Sequence, residues 1–324
     1  MHSHNRVVAT LAGAFVALSL PLTGQQPQTP AGLTLDTLPH VTLTVLSDNM
    51  TMSGALAEWG WAVLVEAGER RILFDTGAGR VLAGNAKTLK VDLSKLDAIV
   101  LSHGHGDHTD GLPQALDLAG KVDVFVHPAA FDALFWRDGA KAVRVPPSLS
   151  RDELGSRVRR IVETREPTVV VPGIVATGAI PRVAGFEDTG VGGQVFTDEA
   201  MTKPSAVPED QALFFRTPEG VVVLLGCAHA GVVNTLRYVA GLLGEPHVYA
   251  VIGGTHLLSA AAQRMEKTEE AFKELGIQKV MLSHCTGLAA FTRLSNAFPG
   301  RCTWPSAGSR IEFGKAAAGP PLDR

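Results

Sequence analysis

Residues 101–111 read LSHGHGDHTDG, and no other stretch limits the fold as tightly. The segment follows KLDAIV, and Ala98 to Leu101 is an unbroken apolar run. A strand with two apolar faces must be covered on both, as in a sheet held between layers. His103 therefore ends a buried strand. If the chain stays extended, His105 points the same way as His103, because side chains repeat every two residues. Gly104 and Gly106 remove bulk and let the backbone turn tightly. Asp107 and His108 follow from the turn, just ahead of a short helix that begins at Gly111. His103, His105, Asp107 and His108 are thus aimed at one small volume. Neutral imidazole and carboxylate are the ligands that zinc and related metals accept. The chain has 11 histidines, and a glycine-rich turn alone does not explain three of them in six positions. Four donors so close together suit two adjacent ions, His103 and His105 on one, Asp107 and His108 on the other.

The rest of the chain supplies further polar residues just after apolar strands: Asp75, Cys227, His256 and His284. Ligands in open α/β sheets gather outside strand ends, so these positions and His103 are expected to share one rim. Strand patterns cover 40–49, two strands within 60–77 around a turn at Gly68-Glu69, and 95–103. A hairpin is expected over 211–231, and strands and helices alternate from 231 onward. Residues 128–205 read as an irregular insert, with a charged helix over 149–166 and one or two strands in 167–182. Strand-helix units in both halves, mixed with hairpins, predict an α/β domain whose helices cover mixed sheets.

Composition excludes some partners. A net charge of −3 and the absence of a long basic run argue against nucleic acid. The run from Val7 to Leu22 is almost wholly apolar and is followed by Gln and Pro. It predicts a signal peptide over 1–24, a Pro-rich linker over 25–39 and a folded domain over 40–324, exported to the periplasm or beyond. The run is short for a stable membrane span, which needs about 20 residues. The mature chain is therefore expected to carry no span and to act on a small molecule. Three cysteines allow at most one bridge within the chain and do not fix the redox compartment.

The spacing His-x-His-x-Asp-His resembles the signature of the metallo-β-lactamase-fold hydrolases. The earlier FDTG and the buried strand before the motif agree, and the resemblance runs from about Thr42 to Phe313. It implies an αββα four-layer sandwich of two mixed sheets flanked by helices. It also implies two divalent ions, zinc first and manganese or iron as alternatives. Cys227 and His284 match the family's ligands for the second ion. The family's third histidine for the first ion has no counterpart in VPEDQALFF, so His229, or else Glu209 or Asp210, takes that place. His229 is preferred. Asp75 is expected to order the histidine loop by accepting hydrogen bonds. Asp48 and His256 are expected beside the ligands or against substrate, and Arg182 against a substrate anion or a structural acid. Phe131, Phe135, Trp136 and Phe186 either line a pocket or pack the insert. His127, Cys285 and Cys302 read as structural.

Seven phrases in order, LSDN, SHGHGDHTDGL, ATGAIPR, EDQALFF, GCAHAGVVNTL, IGGTHLL and SHCTG, narrow the resemblance. They are similar to the branch named for 7,8-dihydropterin-6-yl-methyl-4-(β-D-ribofuranosyl)aminobenzene-5′-phosphate synthase. The resulting expectation is a hydrolase in which two ions hold a bridging water and lower its pKa. The substrate would be an ester, lactone, thioester, amide or phosphoester. Asp107 would both ligate and orient the water. An iron-dependent oxidoreductase or dioxygenase on the same ligands, a pterin-related synthase and a metal-holding sensor are the rival readings.

Overall fold

The computed structural model describes residues 33–314, apart from 53, 146 and 188–193. The predicted signal peptide and most of the linker lie outside the described residues. Strands β1 (His40–Ser47), β2 (Ala62–Ala67) and β3 (Arg70–Phe74) form an antiparallel meander. Helix α1 (Leu82–Thr88) leads to β4 (Ala98–Val100), which lies parallel to β3. After β4 come the single turn α2 (Gly106–Thr109), then α3 (Leu112–Ala119), and β5 (Asp123–Val126) parallel to β4. The hairpin β6 (Leu134–Asp138) and β7 (Lys141–Val145) follows. Next are α4 (Arg151–Arg157) and β8 (Arg160–Glu163), the latter parallel to β5.

The chain then enters a second sheet through β9 (Thr168–Val171) and β10 (Ile174–Ala176), while β11 (Val195–Phe196) pairs back onto β6. Strands β12 (Ala212–Thr217) and β13 (Gly220–Leu225) make the expected hairpin. Helix α5 (Val232–Leu243), β14 (Ala250–Gly253), helix α6 (Ala262–Glu274) and β15 (Lys279–Leu282) extend it in parallel. Helix α7 (Leu288–Ala297) and β16 (Cys302–Thr303) end that sheet, and β17 (Arg310–Gly314) crosses back beside β1. The orders are β17-β1-β2-β3-β4-β5-β8, β16-β15-β14-β13-β12-β10-β9 and β11-β6-β7.

Burial explains the four layers. Val45, Val65, Ile72, Phe74 and Val100 of the first sheet meet Leu213, Phe215, Val222, Leu224 and Ile252 of the second, forming the central core. The alternate residues Leu64, Leu73, Ile99 and Val124 face outward and are covered by Leu82, Leu112 and Leu116 of α1 and α3. Phe214, Val223, Leu225, Val251 and Val280 are covered in the same way by Leu236, Phe272 and Leu294 of α5, α6 and α7. Each strand interior therefore needs apolar residues at odd and even positions alike, which is why the sequence shows runs rather than alternation. The arrangement is the αββα sandwich.

Two local expectations are corrected. The charged helix expected over 149–166 stops at Arg157, and Arg160–Glu163 is a strand. Ser150 and Glu153 cap the helix start reciprocally, but the β-branched Val158, Ile161 and Val162 suit the sheet edge beside β5. The insert is also smaller than 128–205, because β8, β9 and β10 are members of the two large sheets. What projects is the small sheet β11-β6-β7.

The strand end of β3 and the histidine loop are locked together at Gly111. Thr76 N–H and Oγ1–H both donate to the His108 carbonyl, each at 2.8 Å, and Gly111 N–H donates to the Gly77 carbonyl. A Cβ on Gly111 would lie 2.0 Å from the Thr76 carbonyl oxygen. Gly111→Ala is therefore expected to cost about 1–3 kcal/mol, as overpacking does, measured by chemical denaturation.

Candidate metal centre

Three imidazoles point inward because their outer nitrogens are taken. His108 Nδ1–H donates to Asp75 Oδ2 at 2.7 Å. Ser102 Oγ–H donates to the same oxygen at 2.7 Å, so His103 Nδ1–H, 2.8 Å away, donates to Ser102 Oγ. His284 Nδ1–H donates to Asn49 Oδ1 at 2.9 Å. In each ring Nε2 faces the centre, the nitrogen that metal-binding histidines present when their outer N–H is held. His108 Nε2 lies 3.2 Å from His284 Nε2 and 3.1 Å from Cys227 Sγ, and His103 Nε2 lies 3.1 Å from His105 Nδ1. Asp107 Oδ2 stands 3.2 Å from His284 Nε2 and 3.7 Å from His108 Nε2. Nitrogen, oxygen and sulfur atoms crowded in this way are the donor set that transition metals accept.

The donors fall into sets whose ligand atoms all lie within 4.8 Å of one another. One is Asp107, His108, Cys227 and His284; another is His103, Cys227 and His229; a third is His103, His105 and Asp107. The sets overlap at His103, Asp107 and Cys227, so they form one cluster that could hold metal. His229 reaches this group, its ring 4.7 Å from that of His103 and 4.8 Å from that of His105. Glu209 and Asp210 do not belong to any of the sets. Asp210 instead accepts from Ala230 N–H at 2.8 Å, behind the His229 turn. Burial pushes both carboxyls up to about 7.

Backbone strain collects here. Asp75, Ala228, His256 and His284 have φ of 57°, 54°, 50° and 53°, a region that non-glycine residues rarely occupy. Asp48 holds the His284 turn: its Oδ1 accepts His284 N–H, and its Oδ2 accepts Met50 N–H and Trp304 Nε1–H, each at 3.0 Å. Arg182 lies behind the site and donates to the backbone carbonyls of His229, Ala206 and Val207. It stabilises the His229 turn from outside the cavity. His127 accepts from Ala129 N–H at 3.2 Å and caps a turn, as a structural residue would.

The electrostatics suit ligation. Burial, with the neighbouring imidazoles, lowers His103 well below its ordinary value and takes His105 to about 4. Burial also works against charge on His108, but Asp107 and Asp75 outweigh it and raise that imidazole to about 9. Burial opposes ionisation of Asp107 too, yet His108 and His284 hold the carboxyl well below the usual carboxylate range. Burial pushes the Cys227 thiol well up, so a thiolate there needs the charge of a bound cation. Cys285, read as structural, lines the cavity and takes His256 N–H on its sulfur at 3.2 Å.

A cavity of about 400 Å³ opens over the donors. His256 borders it, with its ring 4.5 Å from that of His229, as do Trp136, Leu134 and Val145. Trp59, which the sequence did not single out, also lines it, and its ring sits 5.2 Å from that of His284. Phe131 packs against the outer core of the first sheet and Phe186 against that of the second, so neither lines the cavity. Phe135 sits opposite Phe196 in the small sheet.

A profile of the metallo-β-lactamase superfamily matches residues 60–230. The chain belongs to that superfamily. It is 31% identical over 253 residues to the 7,8-dihydropterin-6-methyl-4-(β-D-ribofuranosyl)-aminobenzene-5′-phosphate synthase of Methanocaldococcus jannaschii, covering 76% of this chain and 85% of that protein. The crystal structure of Tm1679, a metal-dependent hydrolase of the β-lactamase superfamily, superposes with a TM-score of 0.71 at 29% identity, covering 85% of this chain and all of that one. The metallo-β-lactamase-fold protein YhfI from Bacillus subtilis shares the fold, with a TM-score of 0.52 at 14% identity, over 84% of this chain and 99% of that one.

Two outcomes follow. Asp75→Ala frees the outer nitrogen of His108, and loss of such a partner typically weakens metal affinity about 10–100-fold; competition against a chelator reads this directly. The metal-free protein keeps a proton on His108 below about pH 9, and a cation must displace it. Apparent zinc affinity is therefore expected to rise with pH up to that value and fall on acidification, with protons released on binding, as pH-stat titration would show.

Proposed function

We propose that the protein is a binuclear metal-dependent hydrolase. The observation that carries this reading is the overlap of the donor sets, which share His103, Asp107 and Cys227 at one rim under an open cavity. His103, His105 and His229 would hold one cation, and Asp107, His108, Cys227 and His284 the other. Histidine, carboxylate and thiolate together favour zinc over magnesium or calcium. When bound, such cations polarise a carbonyl or phosphoryl oxygen and lower the pKa of a nearby water.

The chain's own residues would do the rest. Asp107, kept ionised by His108 and His284, would orient the attacking water. His256, on the cavity wall outside the donor sets, is placed to hydrogen-bond the leaving group. Trp59 and the small sheet β11-β6-β7 would wall the substrate's place beside the donors. The second reading, a synthase, is favoured by the 31% identity to the M. jannaschii protein of that name. The apolar run from Val7 to Leu22 supports export, which cell fractionation with and without residues 1–24 would test.

Metal content measured alongside turnover of carboxylic and phosphate esters tests the main reading. The expected result is close to two zinc ions per chain and ester hydrolysis. His103→Ala and His284→Ala should each lose bound metal and at least about 100-fold in rate, while keeping the folded circular-dichroism spectrum. Iron as the functional ion with oxygen uptake, or a folded protein that takes up no transition metal, overturns it.

A further inference from the structure

The small sheet β11-β6-β7 shows two unlike faces. Its register pairs Leu134 with Val145 and Trp136 with Val143, and sets Val195 opposite Trp136. Cross-strand partners share a face, so these five apolar side chains form one surface. Leu134, Trp136, Val145 and Val195 of that surface line the cavity over the metal donors. The alternate positions Phe135, Arg137 and Arg144 lie on the other face, where the Arg137 guanidinium stacks on Phe196. Lys141, further along the apolar face, sits opposite Asp138 at the hairpin turn.

Much of the apolar face is left open by the fold, although Val195 is buried. Trp136, Val143 and Val145 are 47%, 46% and 38% exposed, and Trp59 across the cavity is 53% exposed. Large apolar groups left open around a site mark where an apolar ligand lies. The charges along the wall point to the same kind of ligand. Among the described residues lining the cavity there is no lysine or arginine, and the acid outside the donor sets is Asp132. Arg182 comes near but is turned away onto three carbonyls. The relative from M. jannaschii is named for a 5′-phosphate product. Here a phosphate reaching away from the donors would meet tryptophan, valine, Gln194, His256 and a carboxylate, with no lysine or arginine among the described lining residues.

We propose that the site takes an uncharged carboxylic ester whose apolar acyl group lies along the Leu134–Trp136–Val145 face, and that it works poorly on phosphate esters. The assignment rests on the hydrolase reading above. In the reaction the acyl C–O bond breaks, the water oxygen bonds to the acyl carbon and a proton goes to the departing alcohol, giving acid and alcohol.

The experiment uses the zinc-loaded protein with 4-nitrophenyl acetate, butyrate and hexanoate, and with 4-nitrophenyl phosphate and bis(4-nitrophenyl) phosphate. All five share the leaving group. Expected kcat/KM rises about fourfold per added methylene and exceeds that for both phosphates by about 100-fold. Trp136→Ala, a change at a half-exposed position, should flatten the chain-length dependence by raising KM for the hexanoate far more than for the acetate, with the metal content unchanged. Phosphate esters turned over as well as the hexanoate would overturn this substrate class and leave the hydrolase intact. If no ester is turned over, calorimetric titration with neutral acetophenone and hexanophenone decides. Binding that tightens with chain length and weakens in Trp136→Ala keeps the apolar site while the hydrolase reading falls; no binding overturns both.

Discussion

The buried Asp75 carboxylate is the interaction on which the site depends. One oxygen accepts Ser102 N–H, and the other accepts the Ser102 hydroxyl and His108 Nδ1–H, all at 2.7 Å. The acid thus fixes the end of β3 against the loop after β4 and sets the orientation of His108 directly and of His103 through Ser102. An unpaired carboxylate in such a place would be costly, so its partners are held as firmly as it is. Close backbone approach reinforces this. A Cβ on Gly226, just before Cys227, would lie 2.1 Å from Ser102 Oγ. The second sheet can bring its cysteine to the first sheet's histidines only because that position is bare.

Much of this architecture was legible in the sequence, and the reasons are physical. His103, His105, Asp107 and His108 are near one another in the chain, so their convergence needs only local geometry. Cys227 and His229 stand just after the apolar run Val221–Leu225 and His284 just after Val280–Leu282, and strand ends of a layered α/β fold share a rim. The residues that were less visible act through tertiary contact. Asn49 meets His284 across 235 positions of chain, and nothing local marks it as a partner. Trp59 sits in an irregular segment with no period to read.

The misread segment is instructive in the same way. Arg151 to Arg165 has the charge spacing of an exposed helix, and a helix does begin there. The edge of the first sheet then takes Arg160–Glu163, with Arg159 and Arg160 both paired to Asp123 of the neighbouring strand. Sheet pairing overrides local propensity at an edge where charged side chains also guard against further strand addition. The hairpin β6–β7 escaped prediction because its apolar face covers a cavity rather than a core.

The donors come from opposite halves of the chain. His103, His105, Asp107 and His108 belong to the first sheet, and Cys227, His229 and His284 to the second. During synthesis strands β1 to β5 and β8 of the first sheet can collapse while the other set, and β17, are still being translated. The centre then cannot be completed until residue 284 has left the ribosome. A cation that draws donors from both sets would be captured only after the two halves have closed on each other.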